Sequence, residues 1–213
     1  KSGITVVKVG ANAELQRQVG LDGLTQIANR RHFDAALDLA WRRCQRPSQP
    51  LALLLIDVDD FKAYNDHYGH QGGDEVLKRI AQLLQGLQRR PDDLAARSGG
   101  EEFVLLLPGT DAEGADLKAQ EFLDALRALG IPHARARASV IVTASVGVAV
   151  ACPADGASST ALISWADRSL YAAKDAGRNR WARLNTRITQ KKTFVSLFEI
   201  QRLGRPAQFL AMK

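Results

Sequence analysis

The chain alternates stretches of helical period with short apolar runs. Between about Arg31 and Arg46, RHFDAALDLAWRRCQR puts Phe33, Leu37, Ala40 and Trp41 at helical spacing and stops at PSQP, which predicts an amphipathic helix. LALLLI, 51–56, is short and unbroken, the pattern of a strand covered on both faces. The polar stretch DVDDFKAYNDHYGHQGGD follows, and then a predicted helix from about Gly73 to Leu87 with Val76, Leu77, Ile80, Leu83, Leu84 and Leu87 on one side. In ARSGGEEFVLLLP, 96–108, two glycines separate apolar residues upstream from Phe103–Leu107 downstream. Glycine takes the positive φ of tight turns, so this segment reads as a β-hairpin. A helix over about 112–129, a strand at about 139–150, a helix from about Ser159 to Ala176 and a short strand near 181–184 complete the series. Such an order describes an α/β (α+β) domain: a mixed central sheet of about five strands with surrounding helices.

Residues 21–184 carry this pattern. Residues 1–20 are weakly patterned and are expected to be a linker or the end of a helix from an upstream region, since the chain opens on Lys1 rather than Met. Residues 185–213 form an extension in which TFVSLFEI and PAQFLAM read as two short strands.

At 213 residues, with 46% hydrophobic and 24% charged residues, the chain suits one substantial soluble core. No apolar stretch reaches the ~20 residues of a membrane helix. Cys44 and Cys152 are too few for a disulfide or zinc framework, which favours the cytosol. The net charge of +6 is uneven: residues 168–213 hold eleven Lys/Arg against two acids, so the rest of the chain is net acidic. A basic end fits phosphates, a solvated face or a tail. Nucleic acid is the weaker candidate, because aromatics are only 6% and do not interleave with the basic residues.

Asp57 follows LLLI where a buried strand runs into a loop, and strand ends are where α/β sheets hold ligands. If this strand neighbours the hairpin, Asp57 and Glu101 converge. Carboxylates that close repel unless a hard cation sits between them, and a sparse oxygen set suits Mg²⁺. With a phosphate substrate, these are the ingredients of metal-assisted phosphoryl transfer. Taken singly, each acid reads better as a surface loop residue; for the pair at two strand ends the two readings are about even.

RSGGEEF is preceded by DGLTQIANRR (22–31) and DVDDFKAYNDHYGHQGGD (57–74) and followed by TASVGVA and ADRSLYAAKDAGRNR (166–180). Together these motifs closely resemble the GGDEF family of diguanylate cyclases, over about Asp22 to Trp181. The resemblance implies condensation of two GTP into cyclic di-GMP with release of two pyrophosphates, on a sheet similar to the polymerase palm. It implies that Asp57, the Val58 carbonyl and Glu101 bind Mg²⁺ (or Mn²⁺), and that Glu102 lies by the attacking ribose hydroxyl as ligand or base. Gly99 and Gly100 let the backbone approach the nucleotide. Asn65 and Asp74 match the guanine readers, although Asp74 could instead cap the helix expected to start there. Phe61 and Lys62 are expected to give backbone N–H groups to the terminal phosphates. Lys174 and Arg178, taken as one helical face, are expected to neutralise them. His70 is expected to be structural.

RPDD, Arg90 to Asp93, matches the family's inhibitory RxxD motif, nine residues before Gly99. By itself it is a polar turn. Each domain would hold one GTP, so catalysis implies a homodimer, with pairing controlled by an upstream sensory domain. Two departures stand out: Gln26 where the family has Gly, and Ser98 where an aromatic is commoner. A non-catalytic module binding GTP or cyclic di-GMP is the second reading; erosion of the Gly-Gly-acid core would mark it, and none is seen.

Overall fold

A computed structural model of the chain describes residues 20–45, 48–153 and 158–184. The expected upstream helix end and the two strands expected beyond residue 185 lie outside these residues. Six strands form one sheet: β1 (Ala28–Asn29), β2 (Leu51–Val58), β3 (Leu94–Gly99), β4 (Glu102–Pro108), β5 (Ala144–Ala151) and β6 (Trp181–Arg183). Their spatial order is β1-β3-β4-β2-β5-β6. β2 lies between β4 and β5 and is antiparallel to both, while β1 and β6 join in parallel at the edges. The additional strand is β1, whose two residues are too short to leave a period in the sequence.

Four helices cover the sheet: α1 (Arg30–Gln45), α2 (Phe61–Leu87), α3 (Ala112–Ala128) and α4 (Ser159–Asp175). Side chains alternate along a strand, and here both faces are dry. Ala52, Leu54 and Ile56 of β2 join one core with residues of α2 and α3, including Ile80, Leu84 and Phe122. Leu51, Leu53 and Leu55 join the other, with Phe33, Leu37, Leu162 and Ala166 of α1 and α4. This explains the unbroken apolar run at 51–56: the central strand has no wet side. The helices α3 and α4 start on side-chain caps, Asp111 accepting from Gly114 N and Ser158 from Ala161 N.

Three expected boundaries move. The helix expected at Gly73 begins at Phe61, so the polar stretch is helical and is interrupted at Gly69 (φ 79°, ψ 161°). The apolar spacing hid this, because only Phe61 and Tyr64 of that first segment are buried. Asp74 therefore lies inside α2, and its reading as a cap is removed. The strand expected at 139–150 runs over Ala144–Ala151; the residues before it form a loop closed by a bridge between Pro132 and Ile141. The last helix stops at Asp175, and Arg178 follows in a turn with φ 60°. Lys174 and Arg178 thus do not share a helical face.

Gln26, at the family's glycine position, has φ 59°. The local geometry asks for glycine and the sequence supplies a residue that strains there. Its side-chain amide donates to the Asp22 and Gly23 carbonyls at 3.3 and 3.0 Å, which offsets part of the cost.

Gly147 of β5 is where α4 presses on the sheet: a Cβ there would lie 2.0 Å from Ala166 O and 2.3 Å from Leu170 N. Both obstacles are backbone, so they cannot rotate away. Gly147→Ala is expected to destabilise the fold by about 3 kcal/mol, near the upper end for overpacking. Thermal melting should fall by about 10 °C; an unchanged melting temperature would show that α4 is free to lift.

Candidate active site

β2 ends at Asp57 and Val58, and the hairpin between β3 and β4 turns beside it. Gly99 and Gly100 have φ 145° and 52°, the second in the left-handed region where glycine is at no disadvantage. Val58 N donates to Glu101 O at 3.3 Å, stitching the strand end to the hairpin turn. Arg97 fixes that turn from behind. Its Nε and Nη2 donate to Gly100 O at 2.9 and 2.7 Å, and its Nη1 to Asp22 Oδ1 at 3.1 Å. Asp22 Oδ1 also accepts from Thr25 N and Oγ1, so DGLT is an Asx-type turn that anchors the hairpin. Burial opposes ionisation of Asp22, but the Thr25 and Arg97 bonds outweigh it and hold its carboxyl below the usual range.

Asp57 and Glu101 line one cleft of about 440 Å³, together with Val58, Phe61 and Lys62 at the start of α2 and with Lys174 and Arg178. The expected convergence of the two acids is thus realised. Lys174 Nζ lies 2.8 Å from Asp57 Oδ1. Burial pushes the Asp57 carboxyl up; Lys174 opposes that, while Glu101 and Asp59 reinforce it. Glu102 stands directly opposite Asp57 in the antiparallel ladder, so their side chains share a face. Burial, then the negative charge of Asp57, pushes its carboxyl up to about 7. Glu102 does not line the cleft itself; it crowds Asp57 from the strand next door.

Asp59 is 2% exposed and was not singled out in the sequence. It accepts from Thr143 Oγ1 and Ser145 Oγ, each at 2.7 Å, and from Asn179 N at 3.0 Å. One carboxylate therefore ties the end of β2 to β5 and to the turn carrying Arg178. Asp60 precedes α2 with φ 53° and does not cap it with its side chain. No side-chain cap from Asp60 takes up the first-turn N–H groups, and a helix N-terminus favours an anion. The Asp60 carboxylate instead receives Arg137 through its backbone N and Nε at 2.9 and 2.8 Å and through Nη2.

The break at Gly69 also has a result for the expected guanine readers. Residues eight apart on a continuous helix would be about 12 Å apart. Here the Asn65 amide lies against Gly73, where a Cβ would sit 1.9 Å from Asn65 Oδ1. The fold therefore brings Asn65 next to Gly73, although neither Asn65 nor Asp74 is among the residues lining the acidic cleft. Asn65 Oδ1 is buried without a hydrogen-bond partner. His70 is exposed on α2. Ser98 accepts from Arg30 Nη1 at 3.1 Å, so the hydroxyl takes up a contact at the hairpin rim.

Arg90 and Asp93 sit in the turn before β3, away from the cleft. Asp93 Oδ2 accepts from Arg89 N and Arg90 N, both at 2.9 Å, while its Oδ1 is buried and unpartnered. Arg90 Nη1 donates to Pro108 O and Gly109 O at 3.2 and 3.0 Å.

Among the described residues, no three carboxylate, imidazole or thiol side chains converge closely enough to hold a metal alone. At the strand end the cleft offers Asp57, Glu101 and the Val58 backbone as oxygen donors, with an ammonium already drawn to Asp57. A hard cation that keeps waters and shares substrate phosphates fits that donor set.

The fold thus sets paired acids at a strand end beside a Gly-Gly turn. The family profile described as "Diguanylate cyclase, GGDEF domain" matches residues 19–180, and the chain belongs to this family. It is 40% identical over 162 residues to the probable diguanylate cyclase DgcC of Escherichia coli, covering 75% of this chain and 42% of that one. It is 39% identical over 158 residues to the response regulator PleD of Caulobacter vibrioides, covering 74% of this chain and 34% of that one. The chain thus spans less than half of these relatives. The coiled coil and GGDEF domain of DgcB from Caulobacter crescentus, crystallised with c-di-GMP, superposes with a TM-score of 0.75 at 31% identity, covering 85% of this chain and 94% of that one. An active GGEEF domain of a diguanylate cyclase from Vibrio cholerae superposes at 0.64 with 34% identity, covering 74% of this chain and 97% of that one.

The raised Glu102 carboxyl has a pH signature. Between about 4.5, its ordinary value, and about 7, the unfolded chain releases a proton that the folded protein keeps, so stability falls as pH rises through this window. Asp57 acts in the same direction. In metal-free buffer, Glu102→Gln should melt higher than the parent at about pH 8 and show a shallower decline across that window. Parallel melting curves would contradict the crowding of these acids.

Proposed function

We propose that this domain is a diguanylate cyclase, joining two GTP into cyclic di-GMP and releasing two pyrophosphates. The convergence of Asp57 and Glu101 on a cleft that also holds Lys174, Arg178 and an uncapped helix N-terminus carries the reading. Asp57, Glu101 and the Val58 carbonyl would hold Mg²⁺ or Mn²⁺. When bound, that metal supplies charge that screens the phosphates and acidifies the ribose hydroxyl.

The other roles belong to the chain. Lys174, 2.8 Å from Asp57, would turn to a phosphate oxygen when Asp57 serves as a metal ligand, and Arg178 would meet the same phosphates. Phe61 and Lys62 donate backbone N–H groups to the terminal phosphates. Glu102, raised to about 7 by burial and then by the charge of Asp57, is partly ionised near neutrality, and its ionised form would accept the proton of the attacking 3′-hydroxyl. Gly99 and Gly100 keep the turn bare, so the nucleotide lies against backbone. Asn65 and Asp74 read guanine: a carboxylate accepts from N1–H and the exocyclic amine, an edge adenine lacks. Asn65 Oδ1, buried and unpartnered, is the acceptor such a base would satisfy.

One domain holds one GTP, so two copies must face each other with each 3′-hydroxyl in line with the other's α-phosphate. A homodimer is therefore the active species, and an upstream sensory region would set its pairing. Arg90 and Asp93 form a separate site for cyclic di-GMP that limits synthesis. Asp93 Oδ1 is an acceptor lacking a donor there, and Arg90 offers a fork suited to phosphate. Nucleic acid has no place in this scheme. Among the described residues no helix is long and apolar enough to cross a membrane; the domain would work in the cytoplasm.

Incubated with GTP and Mg²⁺ as a dimer, the protein should yield cyclic di-GMP by mass spectrometry, and Glu101→Ala should lose at least about 100-fold in rate, the scale of removing a principal electrostatic contributor. No product from either protein would defeat the proposal and favour a binding module. Asn65→Ala, which removes the amide and leaves Phe61 in place, should weaken GTP binding about tenfold, near the value of one hydrogen bond to a base edge. Unaltered binding would remove Asn65 from base recognition.

A further inference from the structure

The loop bridged at Pro132 and Ile141 carries Arg135 and Arg137, and both line the acidic cleft. Neither belongs to a motif that marked the site in the sequence. The loop is docked rather than draped. His133, 1% exposed, places Nε2 3.2 Å from Asp60 O, the ring standing edge-on to Tyr64. Ala134 N donates to Tyr68 Oη at 3.1 Å, and Arg137 N to Asp60 Oδ2 at 2.9 Å. The loop is thus clamped to both ends of the first segment of α2, whose N-terminus faces the same cleft.

Asp60 positions the guanidinium. Burial opposes its ionisation, but the bonds and charge of Arg137, aided by Arg178 at 4.0 Å, keep its carboxyl below the usual range. Two arginines from different loops therefore share one carboxylate beside the uncapped helix end. The Arg137 side chain remains 71% exposed, so its outer donors are open to a ligand.

The charge balance shows what these arginines add. Five acids and five cations line the cleft. With Asp57 and Glu101 committed to a divalent metal, Asp59, Asp60 and Asp66 remain against Lys62, Arg135, Arg137, Lys174 and Arg178, an excess of two positive charges. Without the two loop arginines that excess is gone, and the mouth would exert no net attraction on a polyphosphate.

We propose that Arg135 and Arg137 bind the terminal phosphates of the nucleotide and the pyrophosphate derived from them, making the 132–141 loop a wall of the triphosphate site. This rests on the nucleotide reading of the cleft. It predicts discrimination by phosphate number, which a guanine contact does not provide.

The test uses 3′-deoxyguanosine tri-, di- and monophosphate with Mg²⁺, ligands that lack the attacking hydroxyl and cannot turn over. Calorimetry on the parent, Arg137→Ala, Arg135→Ala and the double variant gives the affinities. Arg137→Ala should lose about tenfold for the triphosphate, the value of one charge-assisted contact. It should lose less for the diphosphate and nothing for the monophosphate. Arg135→Ala keeps the Arg137–Asp60 pair, so it tests the claim in a protein whose fold is undisturbed; about threefold for the triphosphate is expected, since an exposed charge contributes less. Parent-like triphosphate affinity in the double variant would overturn the proposal, as would an equal loss for all three ligands. A parent protein that binds none of them overturns the nucleotide reading itself, and this proposal with it.

Discussion

Three carboxylates are crowded at the tips of two adjacent strands, and this crowding governs the site. Asp57 ends the central strand, Glu102 stands opposite it in the ladder, and Glu101 occupies the turn alongside. Burial strengthens their repulsion by removing the water that would screen it. Lys174 relieves part of it through its 2.8 Å contact with Asp57. Lys174 contacts Asp57 alone, so the crowding of these acids favours further positive charge at this strand end. In the proposed function, binding of a metal by these acids and transfer of the lysine to a phosphate would be two sides of one exchange.

The surrounding fold holds those acids in place despite their repulsion. β2 is buried on both faces, so Asp57 cannot swing away without dragging a dry strand. Asp59 binds β2 to β5 and to the turn bearing Arg178, while Arg97 and Asp22 brace the hairpin from the opposite side. Gly147 allows α4 to lie against the sheet, which brings Lys174 within reach of Asp57. Packing thus sets the positions and electrostatics sets the appetite for a cation.

Much of this was legible in the chain. The double-sided apolar run at 51–56 marked the central strand, and the glycine pair marked the hairpin that brings Glu101 to it. What escaped notice did so for physical reasons. Polar residues of the first segment of α2 face solvent or the site, so they left no apolar period, and Gly69 concealed a helix that bends and continues. A two-residue edge strand leaves no pattern at all. Asp59 looked like one acid among several because its importance lies in Thr143, Ser145 and Asn179, more than eighty residues away. Arg137 was equally opaque, since its partner Asp60 is 77 positions distant. Spacing alone puts Arg178 on a helical face with Lys174, yet it lies in the turn beyond the helix and still reaches the cleft.

The carboxylate crowding can be tested directly by anomalous diffraction from crystals grown with Mn²⁺ and a GTP analogue that cannot cyclise. A manganese peak between the side chains of residues 57 and 101, with the ammonium of residue 174 moved onto a phosphate, is the predicted result. A peak elsewhere, or none while that lysine keeps its contact with Asp57, would contradict the account.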